Sequence, residues 1–471
     1  MKDYNPFREN REQLKELLRQ YENFKIGKNH SFIEEDAFEK IIDFYQEKDE
    51  LNKAFEAAEI GSTQFPYSAR LIIKKADILL ALRRYQEALN LLDNASLLDG
   101  ADINVYILKT DAFMALDQPE KAALLLEEAL ALFDRDEKID LLFELADVYD
   151  DYEEFDKVFD CLKAILEEEP NNEEALYKIC FWTDFTGRNE ESIRLHEQII
   201  DEYPYNELAW FNLAAAYQGL KLYEKAIDAY KYAIAIEEKF DYAYRNMGDA
   251  YIRLRQYKEA IEVLEKVTEL AQPEDVIFEA IGHCYDRLKN YAQARLQYRK
   301  ASHLRNDDSR LLYKIAMTYF HEEKWVPCFK QITTALQMET QQADYHILAG
   351  ECKLMMEEYE DAAQSFANAV RLRPRNVKGW EALIRCLYNA GYFGEALEQT
   401  DEAIHKTNGK TIFLFYKAAV LMALQNNKEA LLILEEALLQ SPKGVKKFVA
   451  LNPSVLQNQQ VVEVIARSKR K

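Results

Sequence analysis

The side chains able to do covalent or metal chemistry are few in this chain of 471 residues: six cysteines and seven histidines. Cys161, Cys180, Cys284, Cys328, Cys352 and Cys386 stand far apart and form no C-x-x-C pair, so they spell neither a zinc finger nor a dithiol redox centre. Cys284, Cys352 and Cys386 fall in register with Ala216 and Ala250 at multiples of 34 residues. A free thiol in the place of an alanine reads as a small hydrophobe in a packed interior. His346 and His196 stand where other stretches carry an aromatic packing residue, and His303 and His405 fall near helix ends, where a cation suits the helix dipole. His283 and His321 lie on a different stripe but lack acidic or thiol partners at ligand spacing, which makes a weak metal site.

Short motifs add no active site. Gly409-Lys410-Thr411 has the form of the end of a phosphate-binding loop, but Ile404 stands where its first glycine belongs and no strand precedes it. His321-Glu-Glu-Lys-Trp325 lacks the second histidine of a zinc protease. Asp150-Asp-Tyr-Glu-Glu-Phe-Asp156 is acidic enough for calcium, yet it has no turn glycine and reads as a solvated bend. The expectation is a protein that is not an enzyme and needs no cofactor and no metal.

Composition sets the wider limits. Acidic residues outnumber basic ones by 83 to 60, a net charge of −23, which opposes affinity for phosphate backbones. The tail Arg467–Lys471 is basic but short, so no nucleic-acid partner is expected. No run approaches the roughly 20 apolar residues of a membrane helix, and Met1–Arg8 shows no apolar signal region. With the scattered cysteines this argues for the cytoplasm. Apolar residues make up 48% of the chain and glycines number only 13, so a helical protein is expected in which few turns need positive φ.

One period organises the helices. Trp210-x-x-Leu213-Ala214-x-x-Tyr217 is followed by Tyr223-x-x-Ala226, Tyr230 and Ala233. Shifted by 34 residues stand Tyr244, Met247-Gly248, Tyr251, Tyr257, Ala260 and Leu264, and by another 34 Phe278, Ile281-Gly282, Tyr285, Tyr291, Ala294 and Tyr298. The frame runs on through Leu312, His346, Trp380 and Leu414, and back to Leu176 and Leu142. A two-residue insertion near Phe133–Lys138 separates these from Tyr106, Ile72 and Phe38. Residues at i, i+3, i+4 and i+7 form one face of a first helix, and Ala226, Tyr230 and Ala233 the matching face of a second. Small residues let helix backbones approach, and aromatics fill the hollows between units. The spans 103–138 and 173–206 depart from the pattern, with Lys109 and Thr110 in the first and Ser192 and His196 in the second. The domain reading is an N-terminal capping helix in 1–34, twelve units over 35–444, and capping helices with a basic tail in 445–471. In the first cap Leu14, Leu17, Leu18 and Tyr21 share a face; in the last, Val455–Ala466 reads as an amphipathic helix after Pro453.

The order aromatic, Leu-Gly or Leu-Ala, Tyr, Ala, aromatic, Ala, with Pro170, Pro204, Pro374 and Pro442 closing units, resembles the tetratricopeptide repeat family over about 87% of the chain. The resemblance implies an all-α fold, a right-handed α-α superhelix (a solenoid) of about twelve 34-residue helix-turn-helix repeats with terminal capping helices. It also implies a scaffold for protein partners rather than a catalyst.

In that family a second stripe on each first helix lines the inner, concave wall and carries ligands. Here the stripe has three zones. Asp43, Asp77, Asp111 and Asp147 recur in one slot, with Lys40 and Lys74 three residues before the first two; the zone is an acidic rail or a set of i,i+3 salt pairs. The middle zone is aromatic and amide: Tyr177, Phe181, Phe185, Phe211, Asn212, Tyr242 and Asn246. In relatives that bind extended peptides, Asn in the slot of Asn212 and Asn246 hydrogen-bonds the peptide backbone. The third zone is basic, with Arg245, Arg253, Arg287, Arg310 and Lys314, and His283 and His321 nearby. Arg245, Arg310 and Lys314 match charge positions of a clamp by which some co-chaperones hold a C-terminal carboxylate, although Asp249 and Ala280 replace its two Asn posts. Acids such as Asp249 and Asp286 are the local groups able to neutralise the zone. The functional expectation is an adaptor that captures a peptide segment of a partner protein, acidic or ending in a carboxylate. The alternative is an assembly factor that spaces the subunits of a larger complex.

Overall fold

The helices follow one another at a near-constant step. In the computed structural model the second helices of successive pairs begin at Leu51, Tyr85, Pro119, Phe155, Asn189, Tyr223, Tyr257, Tyr291, Trp325, Tyr359, Phe393 and Asn427. Every step is 34 residues except one of 36, which spans the 17-residue helix Arg135–Asp151. The structure describes residues 6–26, 32–98, 100–272 and 274–468, and among them every element is a helix. The chain divides into two compact units, Met1–Glu238 and Lys239–Lys471.

Within each pair the turn is closed by one left-handed residue. These are Asp49, Arg83, Asp117, Glu153, Gly187 and Lys221 in the first unit, and Arg255, Lys289, Glu323, Glu357, Gly391 and Gln425 in the second. The low glycine count led to the expectation of few positive-φ turns, and the structure corrects it: most such positions carry side chains. At Lys221 the reason is visible. Lys221 N–H donates to Gln218 O at 2.8 Å and Leu222 N–H to Tyr217 O at 2.9 Å, a double closure that satisfies helix-end carbonyls and holds a non-glycine residue at φ 61°. Asp150–Asp156, the acidic bend, contains the same device at Glu153.

Several first helices start at side-chain caps. Asn206 Oδ1 accepts Ala209 N–H at 2.8 Å, and Asn172 Oδ1 accepts Ala175 N–H at 3.0 Å. The aromatic slot of the first helix reaches back to the preceding loop: Trp210 Nε1 donates to Pro204 O at 2.9 Å and Trp380 Nε1 to Pro374 O at 2.8 Å. His346, in the same slot, meets Thr340 O through Nε2 at 3.0 Å, so the histidine does a tryptophan's polar work.

Packing follows the small/large pattern. In the second unit a Cβ added at Gly350 would sit 2.6 Å from the Phe366 ring, so the absence of a side chain lets the ring lie against the backbone. In the first unit Tyr21 is buried and meets Phe38 edge-on at 6.3 Å, which joins helix Pro6–Lys25 to the pairs. Phe448, Leu451, Val455, Val461 and Val464 cover the end of the second unit. The last helix is Gln459–Ser468 rather than Val455–Ala466, because Pro453–Gln457 forms a 3-10 turn. Residues 469–471 of the basic tail, and 1–5 and 27–31 of the N-terminal cap, lie outside the described residues.

The irregular spans bury polar groups. Thr110 is 1% exposed, and Lys109 turns its ammonium to Asp93 at 2.8 Å. In the next irregular span His196 is fully buried. Its Nδ1 lies 2.7 Å from Ser192 O and its Nε2 3.2 Å from Asn212 Nδ2, so the proton sits on Nδ1 and Asn212 donates to Nε2. The cysteines are buried apart from half-buried Cys180. Burial pushes the thiols of Cys161 and Cys284 up to about 12 and those of Cys180 and Cys386 up to about 11, which leaves them unreactive thiols at neutral pH.

Candidate functional site

The stripe of first-helix residues that avoids the packing face differs between the two units. At the start of the first unit Lys74 bridges to Asp43 of the preceding pair rather than to Asp77, so the expected i,i+3 pair is replaced by a contact between pairs. Asp77 accepts instead from Gln46 Nε2 at 2.8 Å. Further along, carboxylates crowd. Burial, then the charge of Asp77, raises the pKa of Asp111. Burial, followed by Asp111, Asp147 and Asp140, raises that of Glu144. Glu144 was missed as part of the rail; it stands 68 residues before Asn212, in the same slot. Among the described residues Asp147 is answered by Lys178 alone, at 3.8 Å.

The aromatic zone of the first unit is open. Tyr177, Phe181 and Phe185 are 64%, 60% and 57% exposed, all on helix Glu173–Thr186. The Phe181 and Phe185 rings lie 5.9 Å apart and nearly parallel, at 23°. Behind them Trp182 stacks on Phe155 at 5.5 Å, and Phe155 meets Phe185 edge-on at 4.8 Å. Phe181 and Phe185 are therefore braced by neighbouring rings while staying largely in water, and Tyr177 is exposed on the same helix. Phe211 is half-buried and leans on Tyr230 at 5.7 Å. Asn212 requires a correction: it is 2% exposed, and its Nδ2 donates to Leu176 O at 2.7 Å. Its amide is spent inside the fold, so it is not presented to a peptide.

In the second unit Tyr242 is exposed and Asn246 half-buried. The basic zone is mostly neutralised at close range. Arg245 pairs with Glu274 at 2.7 Å while lying 5.5 Å from the Tyr242 ring centre. Arg253 meets Asp249 at 3.4 Å, and Lys314 pairs with Glu279. Arg310 makes a two-pronged contact with Asp308, at 3.0 and 2.8 Å. Arg287 differs. Its Nε donates to Tyr257 Oη at 3.3 Å, and among the described residues no carboxylate lies within salt-bridge distance of it. His283, beside the Tyr257 ring, has its pKa lowered by burial and then by Lys314 and Arg287, which keeps it neutral at pH 7. His321 stacks on Tyr291 at 5.2 Å. Among the described residues no group of three or more His, Cys, Asp or Glu is placed to hold a metal ion, and no helix is long and apolar enough to cross a membrane.

Comparison with known families gives two matches. Residues 187–348 match the family described as the tetratricopeptide repeat protein 21 C-terminal ARM domain, and residues 354–410 match the tetratricopeptide repeat. No curated protein matches the chain. Solved structures similar to it include YrrB, described as a TPR protein with an unusual peptide-binding site: 20% identical, covering 40% of this chain and 96% of that one, TM-score 0.36. The APC/C hetero-tetramer Cut9–Hcn1 is 12% identical, covering 85% of this chain and 96% of that one, TM-score 0.34. The C-terminal part of a TPR repeat-containing protein from Cytophaga hutchinsonii is 16% identical, covering 54% of this chain and 99% of that one, TM-score 0.44. Residues 187–348 and 354–410 thus carry tetratricopeptide-type repeat matches, and the tandem helix pairs give the chain an all-α solenoid fold.

Proposed function

We propose that this chain is a non-enzymatic adaptor that captures a peptide segment of a partner protein on the open stripe of its first helices. Its repeats are those of a protein–protein interaction scaffold, and we assign them to residues 35–444, with 1–34 and 445–471 as caps. The unpaired cysteines support a reducing compartment, the cytoplasm.

The observation that carries the reading is the row Tyr177, Phe181 and Phe185. Three large rings in water on one helix, two of them (Phe181 and Phe185) braced by Trp182 and Phe155, cost solvation and add little to packing. Rigid aromatic anchors of this kind dominate binding energetics where partners cover them. The test is affinity capture followed by titration of the recovered partner. Phe181→Ala with Phe185→Ala is expected to weaken binding by about 2–4 kcal/mol, with a melting curve close to wild type. Unchanged affinity in the double variant would remove the row from the site.

The acidic or C-terminal carboxylate of the partner is a second element of the reading, and it rests on Arg287. Arginine suits a two-pronged grip on carboxylate, and among the described residues this one has no such partner. Arg287→Glu is expected to weaken binding at low salt by about tenfold and to flatten its salt dependence. Arg310→Glu should do less, because Asp308 already holds that guanidinium. Identical salt dependence in wild type and Arg287→Glu would exclude the carboxylate from this position.

A further inference from the structure

Apart from the aromatic row, the first unit holds a recess of about 340 Å³ between helices Asn189–Glu202, Glu207–Gly219 and Tyr223–Ile236. One wall is a stack: Trp210 and Tyr232 lie 4.4 Å apart at 23°, with the indole pinned by its bond to Pro204 O. Tyr232 turns outward and is 57% exposed. Tyr217 also lines the recess and donates to Glu197 at 2.9 Å. Glu197, Asp201 and Asp228 line the same recess, and only Asp228 meets a lysine among the described residues, Lys231 at 3.3 Å.

The chain's own cations show what such surfaces attract. Lys225, itself a lining residue of this recess, places Nζ 5.2 Å over the Tyr217 ring and leaves the Trp210–Tyr232 stack uncovered by a lysine among the described residues. In the second unit Phe278 stands at the repeat position of Trp210 and Lys300 at that of Tyr232, and Lys300 Nζ lies 5.1 Å over the Phe278 ring. The slot is thus one in which an aromatic ring takes a lysine. At the position of Lys300 this recess carries Tyr232 instead, which extends the aromatic wall into solvent beside three carboxylates. A ring face and nearby negative charge both favour a cation. We infer that this recess binds a lysine or arginine side chain of a partner protein, on a surface built from different residues than the aromatic row.

The full-length chain labelled with ¹⁵N-tryptophan tests this, because its four indoles give separate signals. N-acetyl-arginine amide and N-acetyl-lysine amide are the probes, and N-acetyl-norleucine amide is the uncharged control. The expected result is a saturable shift of the Trp210 indole with the two cations and none with norleucine. Tyr232→Lys, which restores the residue that the Phe278 slot already accommodates, should weaken binding at least about tenfold while leaving the melting curve unchanged. Asp201→Asn should weaken it with the recess otherwise intact. An unmoved Trp210 signal, an equal response to norleucine, or Tyr232→Lys binding like wild type would each overturn the inference.

Discussion

Truncating Phe366 to alanine is expected to destabilise the second unit by about 3–5 kcal/mol. Phe366 is fully buried on helix Tyr359–Leu372, and its ring lies where a Cβ of Gly350 would be, so it joins two helices whose backbones approach closely. Removing it leaves a hole that a glycine opposite cannot fill, because there is no side chain there to relax into it. In an array whose units touch only their neighbours, that loss is felt mainly by the adjoining pairs. Urea melts followed at Trp325 and Trp380 check it. Glu398→Ala, on an exposed position of the next second helix, should stay within about 0.5 kcal/mol. Equal effects of the two variants would mean that the packing frame is misplaced.

The second large effect is a pH dependence that His196 gives to the first unit. Burial lowers its pKa from 6.5 to about 4, and the bond from Asn212 to Nε2 requires the neutral ring. Between these values the unfolded chain binds the proton and the folded chain does not, so stability rises with pH. The contribution is fully present above pH 6.5 and is lost as pH falls toward 4, about 3 kcal/mol in all and about 2 kcal/mol between pH 7 and 5. Asp111 and Glu144, whose folded-state pKa values are raised, act in the opposite direction, so the measurement is a difference. The stability of wild type minus that of His196→Leu should fall by this amount from pH 7 to 5. A flat difference would show that the buried imidazole is not held neutral.

The repeat was legible in the sequence because close packing leaves little choice. Ala214 and Ala226 are fully buried and Leu213 nearly so, and such slots admit only small or apolar side chains wherever they recur. What stayed hidden depends on long side chains choosing partners. Slot counting put Asn212 on the open stripe, but its amide reaches inward to Leu176 O, 36 residues away. The partners of two cations were hidden for the same reason: Arg245 finds Glu274 and Lys314 finds Glu279 across neighbouring pairs, at separations that no local motif marks, whereas Asp249, a local acid the sequence offered, does meet Arg253. Tyr217, the aromatic that defines the alignment, proves half-buried with its hydroxyl on Glu197, whereas Tyr230 is the ring fully enclosed. Conspicuous periodicity and depth of burial are different properties.

The left-handed residue in each turn bears on how such a chain can change over time. Ten of these twelve positions carry a side chain where glycine would sit without strain, at a cost of about 1 kcal/mol each. Because the positions are a full repeat apart, changes at them should combine almost additively. Residue choice at the turns is thus a graded control on durability, one that selection can raise or lower repeat by repeat without redrawing the aromatic row or the recess beside Trp210. The turn residues are distinct from those of the binding surfaces proposed above, so a lineage can alter one set while holding the other constant.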